Sequence, residues 1–211
     1  MINTVLVEDN YFVQDVLKRM IGSDARFRLV ATFTDAFEAE KCCAQGGVDL
    51  VVMDVQTQGN HSGLAAGKRM KEARPKTKIV VVTSLVDAEV LKEAKKGAAD
   101  SLWYKDHGTK DLMDVIARTM NGEHVFPDSS PNITLKDLFS DELTDRQMKI
   151  LRCFVKGYTY QEIADELGMT KRNVRWHLDS IVEKGNFENK HELLMTILES
   201  KLIVTNLLDE E

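Results

Sequence analysis

The sequence predicts an α/β chain: a (βα)5, doubly wound parallel sheet over residues 1–120, followed past a linker by an all-α domain. Three observations carry this. Short β-branched runs alternate with amphipathic stretches as far as Met120. Two of those runs, Leu50–Met53 (LVVM) and Ile79–Val82 (IVVV), are apolar at every position, as strands covered on both faces must be. From Leu143 onward the apolar spacing is helical only.

Thr4–Val7 (TVLV) reads as the first strand. The helix Asn10–Ile21 follows, apolar at Phe12, Val13, Val16, Leu17, Met20 and Ile21, with Gly22 as its stop. Arg28–Phe33 is the second strand and Ala36–Ala44 the second helix, closed by the Gly46-Gly47 turn. Leu50–Met53 is the third strand. Leu64–Ala73 is a helix that ends at Arg74 because a residue before proline is pushed out of helical backbone. Ile79–Val82 is the fourth strand, Asp87–Lys96 a helix ended by Gly97, Ser101–Tyr104 the fifth strand and Thr109–Met120 the last helix of the set. Strand–helix alternation of this kind makes a parallel sheet with helices on both faces. Its functional crevice lies beyond the carboxyl ends of the strands, which gathers Glu8, Asp9, Asp54, Thr83 and Lys105.

Residues 121–140 contain two of the three prolines among Asn, Asp and Ser. They read as a linker with one short helical turn near Leu135–Phe139. The boxes Thr144-x-x-Gln147 and Thr159-x-x-Glu162 then open helices over Asp145–Lys156 and Tyr160–Leu167. Thr170 caps a helix to about Lys184, and residues 190–203 form a last one. The expected organisation is a first domain at 1–120, a linker at 121–140 and a four-helix domain at 141–211.

Composition narrows the function classes. No apolar run approaches the roughly 20 residues of a membrane helix, and the N-terminus MINTVLVEDN has no basic segment of a signal peptide, so the expected location is cytoplasmic. Three cysteines without C-x-x-C spacing read as plain thiols rather than metal ligands. The net charge is −6. Residues 144–190 are the one stretch with basic groups in excess, nine against seven.

Three carboxylates at one sheet edge repel one another unless a hard cation lies between them, and magnesium, with oxygen ligands, suits that place. With the Thr83 hydroxyl and the mobile charge of Lys105, the set suits phosphoryl transfer onto a carboxylate, Asp54 being the nucleophile. Residues 1–120 resemble the receiver domain of two-component response regulators, with the acidic pair, central Asp, Thr and Lys at the expected strand ends. The resemblance implies that Glu8, Asp9 and Asp54 hold Mg2+ together with the backbone carbonyl of Gln56. It also implies that Asp54 accepts phosphate from a sensor histidine kinase, that Thr83 is the switch hydroxyl and that Lys105 binds the phosphoryl group. Two features depart from that family. The loop Val55–Gly63 is long and proline-free, and Leu102 stands where an aromatic residue usually precedes the lysine by three, with Trp103 and Tyr104 after it. A magnesium-dependent phosphotransfer enzyme would carry a second Asp two residues past the acceptor, where this chain has Gln56. A flavin protein would want a Ser/Thr/Gly loop after the first strand, where it has Glu8-Asp9. The expectation is therefore a regulator and not an enzyme.

The helix–short turn–helix spacing from Tyr160 is that of a helix-turn-helix, whose second helix enters the major groove. Residues 141–203 resemble the DNA-binding domain of LuxR-type regulators at Leu143-Thr144, Gly157, Glu162-Ile163-Ala164, Leu167, Val174, His177 and Lys184. The whole chain thus resembles a NarL/FixJ-type response regulator. The resemblance implies promoter DNA as partner, Arg175 and Trp176 as base contacts, and Thr159, Tyr160, Lys171, Arg172, His177 and Lys184 as phosphate or supporting contacts. His177 is equally well read as a structural hydrogen-bonder. The stripe Leu193, Leu194, Ile197 and Leu198 is core, part of which could serve the homodimer the family commonly forms. Asn173 and Asp179 depart from the family, the latter placing an acid where a basic residue is usual. The leading expectation is a transcription factor switched by phosphorylation of Asp54; the alternative keeps DNA binding and drops the switch.

Overall fold

The computed structural model describes residues 1–106 and 111–204 and separates them into two compact units. The first comprises Met1–Ser84 and Ala88–Ser129. Its strands are β1 (Ile2–Val7), β2 (Phe27–Phe33), β3 (Leu50–Met53), β4 (Lys78–Thr83) and β5 (Ser101–Tyr104). All pair in parallel, in the order β2-β1-β3-β4-β5. The order reverses between β1 and β3, so the helices leave on opposite faces and the carboxyl ends of β1 and β3 border a crevice. Every residue of β3 is buried, as its unbroken apolar run requires.

The helices of this unit are α1 (Tyr11–Gly22), α2 (Ala36–Ala44), α3 (Gly63–Ala73), α4 (Ala88–Glu93) and α5 (Leu112–Met120). Caps explain most of their starts. Asn10 accepts from the Phe12 and Val13 amides, Asp35 from Phe37, Ser62 from Ala65 and Asp111 from Met113. Leu6, Leu17, Ile21, Val52, Val80, Leu112 and Ile116 lie in one apolar cluster beneath the sheet edge. The buried stripe of α1 is narrower than its sequence suggests, since Phe12 is 86% exposed and Val16 56% exposed. Cys43 is buried, and that burial, with Cys42 and Glu40 nearby, pushes its thiol up to about 12.

The helix expected over Asp87–Lys96 is different in form. It starts at Ala88, holds α-geometry only to Glu93 and widens into a π turn, Ala94–Ala98, that contains left-handed Gly97 (φ 113°). The wide turn brings the Ala98 carbonyl against α3, where a side chain at Gly67 would place its Cβ 2.4 Å from that oxygen. The predicted start of α5, Thr109, lies outside the described residues.

Among the described residues, the second unit takes in 130–204 together with Leu85–Asp87. Where one helical turn was expected, Thr134–Leu135 (β6) and Leu138–Phe139 (β7) form an antiparallel hairpin, followed by a 3-10 turn at Ser140–Glu142. Left-handed Lys136 (φ 58°) makes the reversal. Then come α6 (Asp145–Val155), α7 (Tyr160–Glu166), α8 (Lys171–Lys184) and α9 (Lys190–Glu199). Both predicted capping boxes are present, at Thr144/Gln147 and Thr159/Glu162. Leu135, Leu138, Ile150, Leu151, Ile163, Val174, Leu178, Ile181, Leu193 and Ile197 make one core, which Val86 joins. Asp87, with no exposed surface, accepts two hydrogen bonds from the Arg152 guanidinium (2.7 and 2.8 Å) and one from the Val204 amide (2.9 Å). A buried charge is tolerable only when so paired.

Candidate functional site

At the carboxyl ends of β1 and β3, carboxylate oxygens of Glu8, Asp9 and Asp54 lie within 4.8 Å of one another. Glu8 and Asp54 are buried, and Asp9 is half-buried. The backbone fixes Glu8 and Asp54. The Glu8 amide donates to the Phe33 carbonyl (3.0 Å) and the Asp54 amide to the Val7 carbonyl (2.9 Å). Glu8 is held further by the Asn10 amide, which donates to its carboxylate, and by the Gln14 side chain, which donates to its carbonyl (2.9 Å). The Asp54 Oδ1 accepts from the Val55 amide (2.6 Å).

Lys105 enters from the end of β5, where its amide donates to the Thr83 carbonyl (2.9 Å). Its ammonium bridges Glu8 Oε2 (2.6 Å) and Asp54 Oδ2 (2.7 Å). Burial pushes the carboxyl of Glu8 up, and the neighbouring Asp54 adds to it, with Lys105 offsetting only part. Asp54 is likewise raised by burial despite Lys105. Burial alone would lower Lys105, but Asp54 and Glu8 outweigh it and hold the ammonium above its ordinary range. Two of the three acids, Glu8 and Asp54, thus share the Lys105 ammonium, with Asp9 close by. Carboxylate oxygens in that number and spacing fit a hard divalent ion. Thr83 closes β4 fully buried, in register with Tyr104 (3% exposed). Leu102 is also buried, on the same strand.

The loop after Asp54 is a folded structure. Gln56, expected to lend its carbonyl to a metal, has an exposed side chain and bridges antiparallel to Ser62. Buried Thr57 donates to the His61 carbonyl (2.7 Å) and accepts from the Ala36 amide (3.1 Å). Gln58 donates its amide to the Thr34 carbonyl, and His61 Nδ1 lies 2.8 Å from Asp35 Oδ1. Gly59 and Asn60 turn the chain with φ 70° and 62°. Sequence reading alone gives His61 no partner. It overlooked Asp35 and Thr57, whose only signal was the polar Thr34-Asp35 pair ahead of α2. The Glu8–Lys105 bridge had no signal in spacing alone.

In the second unit, α7 and α8 are joined by a turn through left-handed Gly168 (φ 61°), and Thr170 caps α8 by accepting from the Asn173 amide. Lys171, Arg172, Arg175, Trp176 and Lys184 are exposed, Trp176 at 64%. Thr159 spends its hydroxyl on the α7 cap, and Tyr160 is half-buried. His177 is partly buried with its ring edge-on to Trp176 (4.9 Å between centroids), and its Nδ1 is buried without a partner among the described residues.

Residues 4–117 match the family model described as the response regulator receiver domain. The chain belongs to that family. Residues 141–197 of this response regulator match a second family model, bacterial regulatory proteins of the luxR family. Over 211 residues the chain is 25% identical to the response regulator protein VraR of Staphylococcus aureus, with 96% of this chain and 99% of VraR covered. Among solved structures, RcsB in a form with two dimers bound to two parallel DNAs aligns at TM-score 0.62 and 19% identity, over 94% of this chain and 98% of RcsB. RcsB of Salmonella enterica serovar Typhimurium bound to promoter rprA in the presence of phosphomimetic BeF3- aligns at 0.61 and 18%, over 93% and 98%. At these identities the likeness is one of fold. No helix of the described residues is long and apolar enough to cross a membrane.

Proposed function

We propose that this response regulator is a cytoplasmic, DNA-binding transcription factor whose promoter affinity is set by phosphorylation of Asp54. The observation that carries the proposal is the convergence of Glu8, Asp9, Asp54 and Lys105 at one end of the parallel sheet, in a chain whose α8 exposes Lys171, Arg172, Arg175 and Trp176. An Asp54 oxygen attacks the phosphorus of a phosphohistidine on a sensor kinase. The P–N bond breaks, and the imidazole leaves with a proton from solvent. Lys105 accompanies the transferred oxygens, and the Thr83 hydroxyl donates to one of them. Glu8, Asp9, Asp54 and the Gln56 carbonyl would hold Mg2+, whose chemistry there is neutralisation of phosphoryl charge. The added charge and acceptor oxygens then favour one of two receiver conformations, the one that dimerises and binds DNA. Arg175 and Trp176 contact bases, with Thr159, Tyr160, Lys171, Arg172, His177 and Lys184 supporting or meeting phosphates.

A second reading, DNA binding without the switch, draws on Leu102, which stands buried in place of an aromatic partner for Thr83. Selection of random duplexes by the full-length protein, with and without a small phosphodonor and magnesium, separates the two. Tighter binding or dimer formation on phosphodonor in the wild type, absent in Asp54→Ala, is the expected result. Equal binding in all samples supports the second reading, and no enrichment even at low salt, where phosphate contacts are strongest, overturns both.

A further inference from the structure

We propose that Asp179 is a specificity-determining positioning residue, which holds Arg175 ready for guanine; this rests on the DNA-binding reading above. Arg175, Trp176 and Asp179 share the exposed face of α8. The Arg175 Nε lies 3.7 Å from Asp179 Oδ2, one helical turn on. Asp179 Oδ1 accepts a hydrogen bond from the ammonium of Lys190, the first residue of α9. That ammonium also lies 5.6 Å from the centre of the Tyr160 ring, and its side chain is only 25% exposed. Asp179 is therefore fixed by a different helix from its own.

Fold stability does not account for the Arg175–Asp179 pairing. Arg175 and Asp179 are 72% and 53% exposed, and exposed pairs one turn apart contribute little. A bare acid on a groove-reading face repels phosphate, and Lys190 compensates that charge. An unrestrained arginine binds phosphate as readily as a base. One drawn by charge toward an acid on its Nε side, as Arg175 is at 3.7 Å, leaves both Nη groups for guanine O6 and N7 and has less side-chain freedom to lose on binding.

The test uses the full-length protein on the duplex it selects and on single-base variants at each selected guanine, with Asp179→Asn and Lys190→Gln alongside. Wild type is expected to discriminate against replacement of one guanine by roughly tenfold or more. Asp179→Asn reduces that to about threefold or less, without weakening binding to unrelated DNA and with an unchanged thermal midpoint. Lys190→Gln moves in the same direction. Retained guanine discrimination in Asp179→Asn overturns the proposal, as does a loss confined to a cytosine, which would make Asp179 a direct acceptor from the cytosine amino group. If wild type selects no sequence, the DNA-binding reading falls and this proposal with it. If wild type and variant select the same sequence equally well, only the proposal falls.

Discussion

Asp100 precedes β5 with 3% of its side chain exposed. Burial alone would raise its carboxyl, but hydrogen bonds from Lys71 (2.9 Å), the Ile79 amide (2.9 Å) and Lys78 (3.0 Å) outweigh burial and hold it below the ordinary value. A carboxylate lowered in the folded state stabilises the fold fully above its unfolded value of about 3.9. That contribution is lost as pH falls through the lower, folded value. Urea denaturation of wild type between pH 5 and pH 2 is therefore expected to lose stability more steeply than Asp100→Asn does. At pH 7 the variant is the less stable by roughly 1–3 kcal/mol, because two lysines and an amide lose a charged acceptor. Parallel pH curves for the two proteins would refute this account. At the same scale the pocket acids behave oppositely, since desolvation dominates Glu8 and Asp54. The same residue type is a structural anchor just before β5 and, in the function proposed above, the phosphate acceptor at the end of β3.

Among the elements, α3 shows how backbone approach limits sequence. A Cβ at Gly63 would meet the Asp54 carbonyl at 2.0 Å, and one at Gly67 the Ala98 carbonyl at 2.4 Å. Neither obstacle is the end of a flexible side chain. Gly67→Ala is expected to destabilise by about 1–3 kcal/mol, whereas Gly22→Ala on α1, with nothing within 4 Å, stabilises by about 0.5–1 kcal/mol. Thermal midpoints of the two variants against wild type decide the matter, and equal shifts would contradict it. The five strands and the starts of α6, α7 and α8 were legible in the sequence because their cues are local: apolar runs, Thr caps, and Gly or Pro stops. The π turn at Ala94–Ala98 was not, because its cause lies in the approach of α3, far away in sequence. Glu8, Asp9, Asp54, Thr83 and Lys105 could be gathered in advance since each closes a strand. The Asp35–His61 and Asp179–Lys190 pairs could not, because each joins segments whose spacing carries no periodic signal.

For the molecule as a whole, the order of its two modules could be read from the change in periodicity at Leu143, and its excess of acid could be placed outside residues 144–190. The character of residues 130–140 could not. Pro131, Asn132, Asp137 and Ser140 give the segment the composition of a tether, and two leucines on either side of a Lys-Asp reversal are too few to show a period. Yet Leu135 and Leu138 are among the largest fully buried side chains of the protein. This bears on how the chain can be cut. A fragment starting at residue 141, where the luxR-type match begins, would leave behind two leucines from the centre of its own core. Truncation of that kind costs about 2–5 kcal/mol for each large apolar side chain removed, a large share of what a small domain has. A fragment starting at residue 130, which gives up Leu85–Asp87 but keeps both leucines, should melt more cooperatively than one starting at 141, which should lack a sharp transition and bind hydrophobic dyes. The apparent tether would then be the first piece of the domain to be made, and a proteolytic nick at Lys136 would disarm the DNA-reading half without touching any helix.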